Sequence, residues 1–222
     1  MNEDTQTLAG LAALQADNHA EGLARLEAIQ QALPPTWQAS AQARIHDLAH
    51  TAGSARTKLP KLYALVNEFS ALRDPHVSCT AGCSACCRRI PVEITDLEAR
   101  HISQVTGIPM VNLPPGRHTS MDFINQPCTF LVNDRCSIYE HRPFHCRSLA
   151  SVDRDALTCS DLNIDLTIKK DPRAVAVVMS KAQMFEPLYQ SITGTGRVVR
   201  ADIRSFFPPG SAAAPGSQRA NP

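Results

Sequence analysis

Hydrophobic positions recur at steps of three and four through the first third of the chain. Leu8, Leu11, Leu23, Leu26, Ile29 and Leu33 keep helical spacing until Pro34-Pro35. Trp37, Ala41, Ile45, Leu48 and Ala52 form a second stripe that stops near Gly53. Leu62, Leu65, Val66, Phe69 and Leu72 form a third that stops at Asp74-Pro75. Such steps put apolar side chains on one face of a helix. The pattern predicts an N-terminal helical region over residues 1–75, its helices packed on each other or on the cysteine-bearing region. The first stripe also suits a protein partner, since helices that lie in a partner's groove carry the same spacing.

Beyond residue 75 the pattern shortens. Ile90–Ile94 alternates and reads as extended. Thr95 and Glu98 form a capping box that opens a helix with Leu97, His101, Ile102 and Val105 on one face, closed by Gly107 and Pro109. Loops are expected near 111–127 and 148–170. Two strand-like pieces flank Asn133-Asp134, a hairpin signal. A three-residue turn there would place Cys128 and Cys136 on one face; a two-residue turn would place them on opposite faces. Residues 140–147 read as a turn or short helix. Asp171-Pro172 reads as a helix start, with Val175, Val178, Met179, Ala182, Phe185, Leu188 and Ile192 along the helix to Gly194. From Pro208 the chain is Pro, Ala, Gly and Ser, too poor in apolar surface to offset its ordering entropy. The expected fold is mainly α with a small β-hairpin, a cysteine-rich metal-centred core flanked by helices. The expected domains are 1–75 (helical), 76–195 (cysteine cluster with a C-terminal helix) and 196–222 (an extension with a disordered tail from about 208).

Composition excludes some functions. A net charge of +1 over 222 residues leaves no electrostatic footprint for nucleic acid or an anionic membrane. No run approaches the ~18 apolar residues of a membrane helix. The acidic start Met1-Asn-Glu-Asp-Thr lacks the basic opening of a secretory signal, so a cytoplasmic location is expected, where thiols stay reduced.

The cysteines change the picture most. All eight fall between residues 79 and 159: Cys79, Cys83, Cys86, Cys87, Cys128, Cys136, Cys146 and Cys159. In a reducing compartment such packing points to metal rather than to disulfides, and soft thiolates select zinc, copper(I) or iron–sulfur clusters. If residues 83–87 turn helically, Cys83, Cys86 and Cys87 share a face, and Cys79 joins from a turn that Gly82 makes flexible. The other four add sulfurs at longer range. Eight exceed the four that one structural zinc takes; iron–sulfur clusters also take four. Spacing leaves zinc and an iron–sulfur cluster both open. His141 and His145 flank Cys146 as further ligand candidates. Cys79-x3-Cys83-x2-Cys86 has the spacing of the radical S-adenosylmethionine motif, but Ala85 stands where that motif carries an aromatic, and the strand–helix units of a barrel are missing.

The cysteine run, Cys128-Thr-Phe-Leu131, Cys136-Ser-Ile-Tyr-Glu140, Arg142-Pro143 and Cys146-Arg147 together resemble the YkgJ-type cysteine-cluster family, whose signature is CxxCxxCC. The resemblance spans roughly residues 79–160 and departs at Thr129, where proline is expected. It implies a zinc- or iron-chelating module. The family includes flagellin lysine N-methylases, so an iron–sulfur redox or sensor protein, or a cluster-dependent modifying enzyme, is the alternative. No glycine-rich nucleotide loop, Gly-x-Ser-x-Gly or His-Glu-x-x-His supports an enzyme of ordinary type. Glu98 resembles the family's acidic residue as well as a cap. Arg142 and Arg147, bracketing Cys146, and Arg88-Arg89 are placed to neutralise a thiolate centre and donate hydrogen bonds to it.

Overall fold

The computed structural model describes residues 3–80, 82–194 and 198–211. Its first third is four helices: α1 (Glu3–Leu14), α2 (Asn18–Ala32), α3 (Pro35–His50) and α4 (Ala55–Arg73). The first hydrophobic stripe is thus two helices with a break at 15–17. The two halves bury into different places. Leu11 and Leu14 pack with Leu166 and Val175, whereas Ile29 packs with Val152 and Val178. At the break Asn18 is buried, and its amide donates to Asp153 Oδ1 at 2.8 Å and to the Ala176 carbonyl at 3.1 Å. α3 starts on Pro35, whose fixed φ suits a first helical position. α4 starts behind Ser54, which accepts from the Thr57 amide.

The cysteine run leads into α5 (Ala85–Arg89), β1 (Glu93–Thr95) and α6 (Asp96–Thr106). The capping box forms in both directions, Glu98 N to Thr95 Oγ1 at 3.3 Å and Thr95 N to Glu98 Oε2 at 3.0 Å. Gly107 ends α6 at φ 73°. The buried face is Glu98, Ala99 and Ile102; Val105 lies outside it and is exposed. Then come β2 (Gly116–Arg117), β3 (Leu131–Val132), β4 (Arg135–Cys136), α7 (Phe144–Ser148), β5 (Leu149–Ser151) and α8 (Asp161–Ile168). The chain continues with β6 (Met179–Lys181), α9 (Glu186–Thr193), β7 (Val199–Asp202) and α10 (Ile203–Phe206). Among the described residues, strands pair as β1-β7-β2, β3-β4 and β5-β6, with β2-β7 parallel and the others antiparallel. The architecture is mainly α with small β elements. Among the described residues no helix is long and apolar enough to cross a membrane.

Two expectations are corrected. Asp171-Pro172 does not open a long helix. The Asp171 carboxylate turns back onto the backbone and side chain of Arg173, at 2.9 Å each. Asn163 holds both backbone groups of Val175 at 2.8 Å, and Asp153 takes the Val178 amide at 3.0 Å. These side chains satisfy backbone groups that a helix would have paired internally. The segment runs on into β6, which pairs with β5, and the helix begins only at Glu186-Pro187. Segment 148–170, read as a loop, contains β5 and α8.

Two cores frame the cysteines. One joins α4 and α9 through Leu59, Leu62, Val66, Phe69, Phe185, Leu188 and Ile192, with Phe144 of α7. The other gathers Ile94, Ile102, Phe130, Ile138, Val199, Ala201, Phe206 and Phe207. Residues 198–207, read as part of an extension, supply the central strand of the largest sheet and two fully buried phenylalanines. The disorder expected from Pro208 falls, from residue 212 on, outside the described residues.

Candidate metal centre

The local turn of the cysteine run begins later than its spacing predicts. α5 starts at Ala85, so Cys86 and Cys87 are helical. Cys83 sits in the preceding turn, its amide on the Thr80 carbonyl at 3.0 Å. Gly82 has φ 88°, a left-handed conformation that glycine adopts at little cost. Ser78 and Cys79 lie against the end of β5. Ser78 N donates to the Ser151 carbonyl at 2.9 Å, and Ser151 N donates to Cys79 Sγ at 3.3 Å.

The hairpin turn has two residues. Asn133 (φ 49°) and Asp134 (φ 58°) are both left-handed, the requirement of a type I′ turn. Cys136 therefore pairs with Leu131, and Cys128 precedes the strands altogether. Its amide donates to the Cys87 carbonyl at 2.7 Å, which ties the hairpin to α5, and its carbonyl accepts from Leu131 N. Cys128 and Cys136 thus do not alternate across the hairpin, because Cys128 folds back beside Cys136 in a turn. Cys146 lies on α7. Cys159 ends a 3-10 turn, Ala156–Cys159, capped by Asp155.

The eight thiols are free, and their mutual electrostatics sort them. Burial pushes the Cys146 thiol well above its ordinary value, and the nearby Cys128, Cys86 and Cys136 push it further. Burial takes Cys128 up to about 11, with Cys136 adding to the shift. Burial likewise takes Cys159 up to about 11, and here the neighbours that add to the shift are Cys79, Cys83 and Asp153. Cys79 is raised by desolvation and then by Cys83 and Cys86. The Cys86 thiol is raised first by its hydrogen bond with Cys87. Cys86, Cys128, Cys136 and Cys146 thus make one set, and Cys79, Cys83 and Cys159 another. Cys86 adjoins both. Cys79, Cys83 and Cys86 are exposed, the rest half-buried.

The polar surroundings divide the residues flagged by sequence. Glu98 is a cap and more: buried completely, its carboxylate also accepts from Tyr63 Oη (2.8 Å), Tyr189 Oη (2.7 Å) and Phe144 N (2.8 Å). Arg147 is spent on structure. Its fork donates to the Arg142 and Glu140 carbonyls and to Asn67 Oδ1, and its plane lies over the Tyr63 ring at 4.1 Å. Arg88 pairs with Asp134, and Arg89 with Asp161 and Asp165. Arg142 fits the expected role: it lies over Tyr139 at 3.9 Å and its charge favours the Cys136 thiolate. Sequence reasoning missed Arg73, which is buried at the end of α4 and favours the Cys79 thiolate in the same way, and Arg204, which does so for Cys128. It also missed Asp153, whose Oδ2 accepts from Ser151 Oγ and Thr158 Oγ1. His145 Nδ1 faces the Glu93 carbonyl at 3.1 Å, and the His141 ring meets His101 edge-on at 6.4 Å; neither joins a cysteine set.

Among the described residues, no three His, Cys, Asp or Glu side chains come together closely enough to hold a metal ion. The sulfurs share neighbourhoods, not a finished coordination sphere. Their chemistry still fits a metal: free thiols from separate segments share neighbourhoods, and two guanidinium Nε atoms are buried without a hydrogen-bond partner, Arg73 beside Cys79 and Arg142 beside Cys136. A buried donor left unpaired is costly, and an anionic metal–thiolate centre is the acceptor these two lack.

Fold and site therefore define a mainly α protein built around a cluster of cysteines. Residues 78–175 match the model of the CxxCxxCC family, described as "Putative zinc- or iron-chelating domain". No curated protein and no solved structure matches the chain.

Proposed function

We propose that this is a cytoplasmic metal-binding protein whose eight cysteines, Cys79, Cys83, Cys86, Cys87, Cys128, Cys136, Cys146 and Cys159, hold zinc or an iron–sulfur centre. One observation carries the reading: Cys146, on a helix packed into the core, lies close enough to Cys86, Cys128 and Cys136 for each to raise its thiol further. Four thiolates from separate segments repel each other unless a cation offsets their charge, and metal binding then becomes folding free energy. The test is anaerobic purification with metal and acid-labile sulfide analysis, followed by chelation. Stoichiometric metal, and loss of near-UV circular dichroism on its removal, are expected. A chelated protein that keeps its full spectrum and thermal midpoint defeats this reading.

A second reading, an iron–sulfur redox or sensor protein, is favoured by the exposure of Cys79, Cys83 and Cys86. A centre with an open side can meet an oxidant or a redox partner. Brown protein with acid-labile sulfide supports it; colourless protein with stoichiometric zinc removes it.

A further inference from the structure

A cleft of about 390 Å³ opens between α4 and α6, and no cysteine lines it. Small-molecule sites span roughly 300–1,000 Å³. α6 shapes one wall. Its residues Glu98, Ala99 and Ile102 turn into the core. Leu97, Arg100, His101 and Gln104, at i, i+3, i+4 and i+7, share another face and line the cleft. The floor is apolar and comes from both cores. Leu59 of α4 is fully buried, and Leu97 packs half-buried on the same core. Met110 packs against the other. Gly107 turns the chain back after α6, and Val111 N donates to the Phe206 carbonyl at 2.8 Å, which fixes the segment that carries Met110.

The rim is cationic. Arg56 and Arg100 both line the cleft, and among the described residues no acidic side chain does. Arg100 reaches Asp96 at 3.3 Å through Nη2 alone, with its side chain 64% exposed, so the rest of its fork is free. Arg56 has no hydrogen-bond or ion-pair partner among the described residues. It also stands at the wrong end of a helix. It lies in the first turn of α4, where the amides carry partial positive charge and an acid is the stabilising choice. No acid stands in that turn. Nothing in the folded chain offsets this arginine; an anion in the cleft would.

We propose that the cleft between α4 and α6 binds a small amphipathic carboxylate. Its anionic end pairs with Arg56 and Arg100, whose planar forks match a carboxylate, and its hydrocarbon body lies on Leu59, Leu97 and Met110. An inorganic anion would leave that apolar floor unused, and a neutral hydrocarbon would leave the arginines unpaired. The site does not depend on whether the cysteines hold metal.

The test is calorimetric titration of the full chain, as purified, with octanoate, octanol and inorganic phosphate. Octanoate should bind with one equivalent, and octanol and phosphate each about tenfold more weakly or not at all. Arg56→Gln and Arg100→Gln should each weaken octanoate about 3- to 5-fold, the worth of an exposed ion pair. Gln104→Glu, which puts a like charge on the wall, should weaken it at least as much. Lys61→Gln removes the same charge from an exposed position of α4 outside the cleft and should change nothing. All four positions are exposed, so the variants should fold, with circular dichroism as the check. The ligand-free Arg56→Gln protein should match or exceed the parent in urea midpoint, because a cation has left the start of a helix. No octanoate binding in the millimolar range overturns the proposal. So does octanol or phosphate binding as tightly as octanoate, or Lys61→Gln weakening octanoate as much as Arg56→Gln.

Discussion

Tyr189 donates a 2.7 Å hydrogen bond to the carboxylate of Glu98, and both residues are completely buried. Glu98 lies inside the matched domain, 78–175, and Tyr189 lies beyond it. Tyr63, which precedes it, donates to the same carboxylate at 2.8 Å. The Phe144 ring stacks on Tyr189 with centroids 4.3 Å apart, and its amide is a third donor to Glu98. The carboxylate thus fastens the helices on either side of the domain to α7, the helix that carries Cys146.

Hydrogen bonds to a charged group are each worth about 1.5–3 kcal/mol. Tyr63→Phe and Tyr189→Phe should each lower unfolding free energy by about that much in urea titrations. Their effects should not add, because they share one acceptor. Glu98→Ala leaves two phenols and two backbone amides unpaired in the core and should not yield folded protein. A Tyr189→Phe variant as stable as the parent would remove Glu98 from this role.

The same contact sets an alkaline limit. Burial, and then the charge of Glu98, push the Tyr63 and Tyr189 phenols above their ordinary value. A raised pKa means that folding favours the protonated phenol. Its contribution is whole below the unfolded value of about 10 and is lost as pH rises toward the folded values. Stability should therefore fall above pH about 10, and less steeply in the double Phe variant. In absorbance, two of the three tyrosines should ionise only as near-UV dichroism collapses; all three ionising in intact protein would contradict this.

Much of this is written locally, and some is not. α3, α4, the capping box at Thr95 and the hairpin turn at Asn133-Asp134 follow from periodicity, caps and turn chemistry within a few residues. The break between α1 and α2, the β5-β6 pair and the extended run before β6 depend on Asn18, Asp153 and Asn163, which satisfy distant backbone groups. Hydrophobic spacing carries no record of such bonds. The site divides the same way. The cysteines announce themselves, but their grouping needs the fold: Cys86 adjoins Cys146 across sixty residues of sequence, while its neighbour Cys83 adjoins Cys159.

Two arginines beside Cys146 should behave differently. Arg147 is buried and spends its fork on Arg142, Glu140 and Asn67. A lysine cannot reproduce that planar set of donors and leaves buried acceptors unpaired, so Arg147→Lys should cost about 1–3 kcal/mol of stability. Arg142 has its Nε unpaired and Cys136 within its field. Arg142→Gln should lower metal affinity by about 10- to 100-fold with a smaller change in the urea midpoint of metal-free protein. Equal effects of the two substitutions on affinity would show that neither guanidinium is specific to the centre.

Gly22 shows why α2 lies where it does. It is buried in the middle of the helix, where alanine is normally better by about 1 kcal/mol. A Cβ at that position would lie 2.6 Å from Val178 Cβ and 2.7 and 2.8 Å from its two methyl carbons. Val178 cannot yield easily: its amide is held by Asp153, and its carbonyl accepts from Val152 N at 2.9 Å. Crowding of this kind costs about 1–3 kcal/mol, more than helix propensity returns. Gly22→Ala should therefore destabilise the protein in urea. Val178→Ala removes the opposing methyls and costs stability by itself through the cavity it leaves. In the double variant the new methyl occupies part of that cavity, so the combined loss should be smaller than the sum of the single losses. An additive cycle, or a Gly22→Ala protein more stable than the parent, would mean that α2 does not press on the Val178 segment, and that the route from Asn18 through Asp153 and Ser151 to Cys79 is looser than the hydrogen bonds indicate.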